Sequence, residues 1–533
     1  MVPSIFNDVI GPVMRGASSS HCAAALRIGR LARDLMGGEI ASVLIEFDRL
    51  GSLPTTHESQ GSDMGLFGGL LGWDAADGRL PDSARTLSEA GIDARIEIVD
   101  THDPHPNTYR LTLTNVRETH GLVAISTGGG MIEVISIDDM PVSISGDCFE
   151  TLLFACGSGG DAIASVVRSR MPIEHEVLVH AGARGDLVEL RARAFADDDL
   201  VAAIREVAPD VAVKRLSPVL PVLTRPGMRV PFTSCEELLR YDAGKSVPLW
   251  RRAVEYECAR GGLTEDDVIE RMVEIVRLLR RSIDQGIAGT TYDDRILGHQ
   301  SGAFLQKMRE GRLIDGGALN RAVLYVTALM EVKSSMGVIV AAPTAGACAA
   351  LPGVCVAVAE EMNLDEVEMA KAMLAAGLIG VFITTRWTFA AEVGGCQAEG
   401  GSAAAMAGAA LVTLAGGTLA QALAAPSLAL QSMLGLICDP VAGRVEVPCI
   451  GKNVLAASHA LSSANMALAG FDPVIPFDEV VDAAKRVADQ MPRELRCTAL
   501  GGLATTPASE RIELQLLHRK SGCGAGCGCT IVR

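Results

Sequence analysis

Cys396, Cys438 and Cys449 fall in two stretches punctuated by glycine and proline, AEVGGCQAEGGSA and ICDPVAGRVEVPCIGKN. Cys438 and Cys449 stand eleven residues apart, too far for a CxxC knuckle and too irregular for two ligands on one helix face. Thiolates on irregular backbone can converge on one point, because glycine frees the chain from helix or strand geometry. A three-cysteine set leaves one metal position open. An open iron or zinc can hold a substrate hydroxyl or carboxylate and draw charge off a leaving group. By spacing alone, the same three could equally be buried structural thiols in a chain with fourteen cysteines.

A second cluster lies at the opposite end of the chain. Ser18, Ser19 and Ser20 precede His21 where SSSHCAAALRIGRLARDLMGG takes on helical spacing, ending at Gly37-Gly38. Hydroxyls and helix N-terminal amides suit a carboxylate, and a histidine can move a proton near neutrality. The plainer reading is that the serines only cap the helix. Thr344 in AAPTAGACAALPG, and Lys452 with Asn453 after the third cysteine, are candidates to hold a carboxylate or an amine, or to brace their loops. Cys497 in RELRCTALGGLATTP stands by a further glycine loop, as a site-lining or a buried structural thiol.

The elements that must position these groups divide into three regions of an α+β multidomain chain. Residues 1–148 alternate helical and strand patterns: ASVLIEFDRL, ARIEIVD, TYRLTLTNV, HGLVAISTGGG and MIEVISIDD read as strands. Residues 149–222 read β-α-β-β-α-β, a small ferredoxin-like unit similar to an ACT domain, with a regulatory or a purely structural role. LTRPGMRVPFTS, over 223–234, is a linker. Residues 235–520 form an all-α domain interrupted by five glycine-rich loops, and 521–533 are a cysteine- and glycine-rich tail.

Composition limits the partners. The net charge of −17 argues against wrapping a nucleic acid. No Asp, Glu, Lys or Arg occurs between Glu399 and Asp439, but that run is rich in alanine and glycine and broken at Gly416-Gly417 and Pro426, which reads as buried helices and not a membrane span. MVPSIFNDVIGPVMRG lacks the pattern of a signal peptide, so a cytoplasmic location with reduced thiols is expected.

GCQAEGG, GLICDPVAGRVEVPCIGKN and AAPTAGACAALPG resemble the α portion of the iron–sulfur L-serine dehydratases (L-serine ammonia-lyases), and GPVMRGASSSHCAAALRIG resembles their β portion. The resemblance covers nearly the whole chain, with β and α portions fused around the ACT-like unit. It implies that Cys396, Cys438 and Cys449 hold a 4Fe–4S cluster with one iron free of cysteine. It further implies a homodimer that dehydrates a small amino acid without pyridoxal phosphate, L-serine giving pyruvate and ammonia. His21, Ser19 and Ser20 are then the catalytic candidates, and Ser18, Gln60, Thr344, Lys452 and Asn453 the substrate-binding ones.

Two positions depart from the family pattern. Cys22 replaces the threonine of an SSSHT run. Gln60, in SLPTTHESQGSDMG, falls where a G-H-G-T-D element carries its histidine, and glutamine cannot shuttle a proton. His57, three residues upstream, could substitute if the loop folds back. The departure leaves L-threonine or L-cysteine as alternative substrates, and a non-catalytic amino-acid sensor as an alternative of another class. One of the tail thiols, Cys523, Cys527 or Cys529, is a candidate displaceable fourth ligand for the open iron.

Overall fold

The computed structural model describes residues 2–171, 175–183, 185–224 and 227–522. Cys523, Cys527 and Cys529 therefore lie outside the described residues. The remaining cysteines are all free thiols.

Period-two alternation in the first region produces a six-stranded sheet. Its order is Asp93–Val99, Ser42–Asp48, Thr108–Thr114, Thr119–Gly128, Met131–Ile137 and Met140–Ile144. Only the first pair is parallel, with Ile45 opposite Ile96; the others are antiparallel. The last strand was not anticipated, since PVSI is short and runs straight into the junction with the next unit. Val43, Ile45 and Phe47 face one buried side, where the helices Ala24–Leu35 and Ser62–Leu70 cover them. Those two helices approach so closely that a Cβ on Gly69 would lie 2.1 Å from the carbonyl oxygen of Leu26.

The next unit is a four-stranded antiparallel sheet ordered Ala212–Leu216, Phe149–Phe154, Gly185–Ala192 and Glu176–Gly182. With its helices Gly160–Arg170 and Asp198–Val207, the chain order is β-α-β-β-α-β. It has its own small apolar core around Leu153, Ile163, Val188 and Ile204.

Among the described residues from Cys235 onward, every regular element is helical apart from the two-residue strand Ile339–Val340. The starts are capped as the sequence dictates: Ser234 and Asp365 accept hydrogen bonds from amides of the first turn, and Thr264 forms a capping box with Asp267. The uncharged run becomes two helices of 13 residues each, Ser402–Leu414 and Leu419–Gln431, separated at Gly416-Gly417. One described helix, Glu366–Arg386, is long and apolar enough to cross a membrane, and 78% of its most apolar window is buried inside the protein.

The start of the chain is built into this helical domain. Ile5, Phe6, Val9, Ile10 and Met14 share one core with Phe232, Tyr256, Met373 and Phe382. Ser4 Oγ donates to Glu257 Oε1 (2.5 Å), the amide of Ile5 donates to Glu257 Oε2 (2.8 Å), and Tyr256 donates to the carbonyl of Pro3 (2.7 Å). Asn7 exchanges hydrogen bonds with the backbone of Val222, and Val13–Met14 pairs antiparallel with Ile339–Val340. The groove that receives this segment exists because Gly377 and Gly380 lack side chains. A Cβ at these positions would lie 2.5 Å from Ile5 Cγ2 and 2.1 Å from Val9 Cγ1.

Gly380→Ala is expected to lower stability by about 1–2 kcal/mol, since overpacking a buried contact outweighs the gain in helix propensity. Thermal or urea unfolding checks this against Gly451→Ala, whose added methyl meets nothing within 4 Å and should be neutral or slightly stabilising.

Candidate metal centre and active site

Each cysteine is delivered by a different local device. Cys396 follows the turn at Gly395, whose φ of +68° favours glycine, and leads into a single wide π-helical turn, Gln397–Gly401. Cys438 is held in extended backbone: its amide donates to Leu495 O (2.9 Å) and its carbonyl accepts from the amide of Cys497 (3.3 Å). Cys449 opens the helix Cys449–Leu468, directly after Pro448. All three are buried, as is Cys497.

Sγ of Cys396, Sγ of Cys438 and a carboxylate oxygen of Glu399 lie within 4.8 Å of one another. Cys438 makes thiol hydrogen bonds with Cys396 and Cys497, which together with burial hold its proton on, well above the usual thiol range. Burial, reinforced by the charge of Cys396, likewise raises Cys449. Thiols so placed release their protons only to a bound cation, as soft metal sites do. Cys449 lies outside the tightest group but close enough for Cys396 to act on it. The donor set of buried sulfur atoms fits an iron–sulfur group.

Two lysines supply positive charge. Lys452 Nζ donates to Asp439 Oδ1 (2.6 Å) and Ile437 O (2.7 Å), and lies 3.7 Å from Cys396 Sγ. Burial disfavours its charge, but Cys396 and Asp439 outweigh this and raise its pKa. Lys333 is buried at the end of the helix Ala318–Ser334, donates to the carbonyl of Val445, and its charge favours the thiolate of Cys449. Asn453 uses its whole amide inside the protein. It accepts from Ala349 N and Ala350 N, and donates to Gly346 O and Cys449 O, so it clamps the AAPTAGA loop onto the cysteine helix. Thr344 Oγ1 donates to Glu399 Oε1 (2.6 Å) and accepts from Ala347 N.

The N-terminal groups meet this centre from the other side. Ser19–Ala23 form a second wide π-helical turn running into the helix Ala24–Leu35. Ser19 Oγ accepts from the amide of Ala345, beside Thr344. Ser20 is buried in the same turn. His21 is fully buried, with Nδ1 3.1 Å from Ser18 Oγ and 3.4 Å from Glu392 Oε1, and Nε2 2.8 Å from Thr56 Oγ1. Burial lowers its pKa to about 3, with the nearby charge of His57 adding to the effect, so the ring is neutral at physiological pH.

The stretch read as a loop around Gln60 is two helices, Leu53–Gln60 and Ser62–Leu70, turned about Gly61 in the left-handed region at φ +89°. Its helical spacing is masked by Pro54, the polar run and the glycines. Gln60 is buried and donates to Cys497 Sγ (3.5 Å), bringing Cys497 and Cys438 together with the β-type half of the chain. His57 does not fold back onto the cysteines. It is engaged with Asp63 (2.8 Å), whose hydrogen bond and charge outweigh partial burial and raise its pKa.

Three groups at this centre carried no weight in the sequence reading: Glu392, Glu399 and Lys333. The available signal was isolation, because AEVGGCQAEGGSA holds two acids in an otherwise uncharged stretch and Lys333 ends an apolar helix face.

The assembled site, buried thiols facing a serine–histidine turn, is that of an enzyme. Residues 244–504 match the family model of the serine dehydratase alpha chain. The chain is 36% identical over 285 residues to the probable L-serine dehydratase alpha chain of Bacillus subtilis (strain 168), covering 54% of this chain and 95% of that one. It is 39% identical over 144 residues to the probable beta chain of the same organism, covering 27% and 64%. It is 28% identical over 514 residues to the L-serine dehydratase of Streptomyces coelicolor, covering 94% and 97%, consistent with α and β portions fused in one chain. The chain belongs to the serine dehydratase family.

Neutral His21 makes the protein sensitive to acid. The unfolded histidine binds a proton below about pH 6.5 while the folded one does not until about 3, so this stability is lost as pH falls through that window. The loss amounts to about 2 kcal/mol at pH 5. His105, lowered to about 4 by burial, adds to it. Urea midpoints across this range should fall less steeply for His21→Asn than for the wild type.

Proposed function

We propose that the chain is an L-serine ammonia-lyase, releasing pyruvate and ammonia by dehydration without pyridoxal phosphate, with Cys396, Cys438 and Cys449 holding a 4Fe–4S cluster. The observation that carries this is the meeting of buried thiols from separate loops with the Ser18–His21 turn of the opposite half of the chain. The names of its relatives agree with serine as substrate. The cluster, when bound, supplies a Lewis-acid iron for the departing hydroxyl.

The chain's own residues do the rest. Amides and hydroxyls of the Ser18–Ser20 turn receive the substrate carboxylate. Ser19 keeps the AAPTAGA loop against that turn, Thr344 ties it to Glu399, and Asn453 keeps it against Cys449. Lys452 and Lys333 offset the negative charge that the thiolates bring into a buried site. Gln60 positions Cys497 and transfers no proton. Burial of the whole set excludes water, so that elimination and not random hydrolysis governs the intermediate.

Protein purified without oxygen is expected to be brown, to carry iron and sulfide, and to release pyruvate and ammonia from L-serine faster than 2-oxo acid from L-threonine or L-cysteine. Cys396→Ala, Cys438→Ala and Cys449→Ala should each lose iron and activity together. A variant of any of the three that keeps a full iron content removes that residue from the ligand set. Preference for L-threonine or L-cysteine would move the substrate assignment.

A further inference from the structure

Gln60 leaves the site without the proton carrier that the family pattern puts there, and neither histidine nearby replaces it. His57 is bound to Asp63, and His21 is held by Ser18 and Thr56. Thr56 Oγ1 donates to Ser52 O (2.7 Å), so toward His21 Nε2 it can only accept. The ring proton of neutral His21 is therefore on Nε2, and Nδ1 presents a lone pair. That lone pair faces Ser18 Oγ, which donates, and Glu392 Oε1 at 3.4 Å. Two buried acceptors facing each other are stable when a proton lies between them. With His21 pushed down to about 3 and Glu392 pushed up to about 7, the carboxyl carries that proton at acid pH and gives it up near neutrality, leaving the ionised carboxylate.

The other carboxylate oxygen is only loosely held. Among the described residues, buried Oε2 of Glu392 has no hydrogen-bond partner, and neither has buried Nδ2 of Asn107. The two face each other too loosely for a well-formed hydrogen bond, yet the Asn107 side chain still acts as a weak donor that favours the charged carboxylate. A buried acceptor and a buried donor without full hydrogen bonds carry an uncompensated desolvation penalty. An amino acid whose carboxylate sits in the Ser18–Ser20 turn and whose ammonium and Cα reach Glu392 would relieve it at Oε2. Glu392 follows Ala391, which packs directly against Cys396, Cys438 and Cys497, so this oxygen belongs to the same site as the thiols.

We propose that Glu392 is the catalytic base of this chain, taking the substrate Cα proton on Oε2 beside Asn107, in place of the histidine that Gln60 replaces. The proposal rests on the lyase reading above. The ionised carboxylate forms an O–H bond with the Cα proton, and the C–H electron pair becomes the Cα=Cβ bond. The Cβ–O bond breaks with its pair leaving on the hydroxyl oxygen. The proton held by Glu392 then passes to that oxygen and completes water, so no further acid is required. Burial is the main reason the carboxyl is raised, and the charge of Glu399 adds to it. His21 faces Glu392 directly, Tyr109 and Cys497 feel its charge, and His57 acts on it only through His21.

Glu392→Gln preserves shape and removes the base. With L-serine, kcat should fall by about 10²–10⁴-fold while iron content and the thermal midpoint stay at wild-type values. The acidic limb of kcat/KM near pH 7 should vanish from the residual rate, and Glu392→Asp should keep the limb at reduced rate. Independently of turnover, infrared difference spectra of wild type against Glu392→Gln should contain one protonated carboxyl band that titrates near neutrality, in iron-free as in loaded protein. A Glu392→Gln variant with a near wild-type rate and an unchanged limb overturns the assignment, as does a band titrating in the ordinary carboxylate range. Wild type that releases no 2-oxo acid from L-serine, L-threonine or L-cysteine overturns the lyase reading instead, and the infrared titration separates the two failures.

Discussion

The site exists because residues 4–14 are packed against a domain that begins more than two hundred residues later. Glu257 receives Ser4 and Ile5, Tyr256 holds Pro3, and a groove at Gly377 and Gly380 takes Ile5 and Val9. With that segment fixed, the chain has only a few residues in which to reach Ser18–His21, and the short pairing of Val13–Met14 with Ile339–Val340 sets the direction of approach. The serine–histidine turn is thereby pressed onto the AAPTAGA loop. The six-stranded sheet follows as a body hung from this anchor, contributing Thr56, Gln60 and Asn107 to a centre whose sulfur atoms come entirely from the helical domain.

Burial governs the chemistry of that centre. It holds thiols protonated, keeps His21 neutral and raises the carboxyl of Glu392, all by disfavouring charge in a medium that cannot solvate it. Lys452 and Lys333 act against the trend near Cys396 and Cys449. The result is a site whose protonation is set by what binds there. Cys497 adds strain of its own, since it is held at φ +56°, a conformation uncommon for a side chain of its kind and one that clusters at functional sites.

Much of the architecture was legible because it depends on local pattern. Alternation gave five of the six strands of the first sheet, and the β-α-β-β-α-β order of the second unit could be read directly. The Gln60 region was not legible, because a proline, a polar run and glycines conceal two short helices, of which Ser62–Leu70 packs against Ala24–Leu35. The three cysteines stood out by their loops and by the family resemblance, and Cys396 and Cys438 do come together, beside Glu399. Glu392, Glu399 and Lys333 did not stand out, because the significance of a charged residue lies in being buried, and burial is decided by partners far along the chain. The entry of residues 4–14 into the helical core was invisible for the same reason: their apolar spacing says that they are buried, not where.

That entry also orders events during synthesis. Ser4 and its acceptor Glu257 are separated by 253 residues, so the segment leaves the ribosome long before its binding groove is made. Ile5, Phe6, Val9 and Ile10 must wait without their final partners until the helices after residue 235 have been translated and packed. The β-type sheet can mature earlier on its own core, but its serine–histidine turn cannot lock. The last folding event is therefore the closure of the two ends of the chain on each other, and the thiol centre is complete only then. Such a long-range closure is slow by its topology and leaves an apolar strand exposed in the meantime.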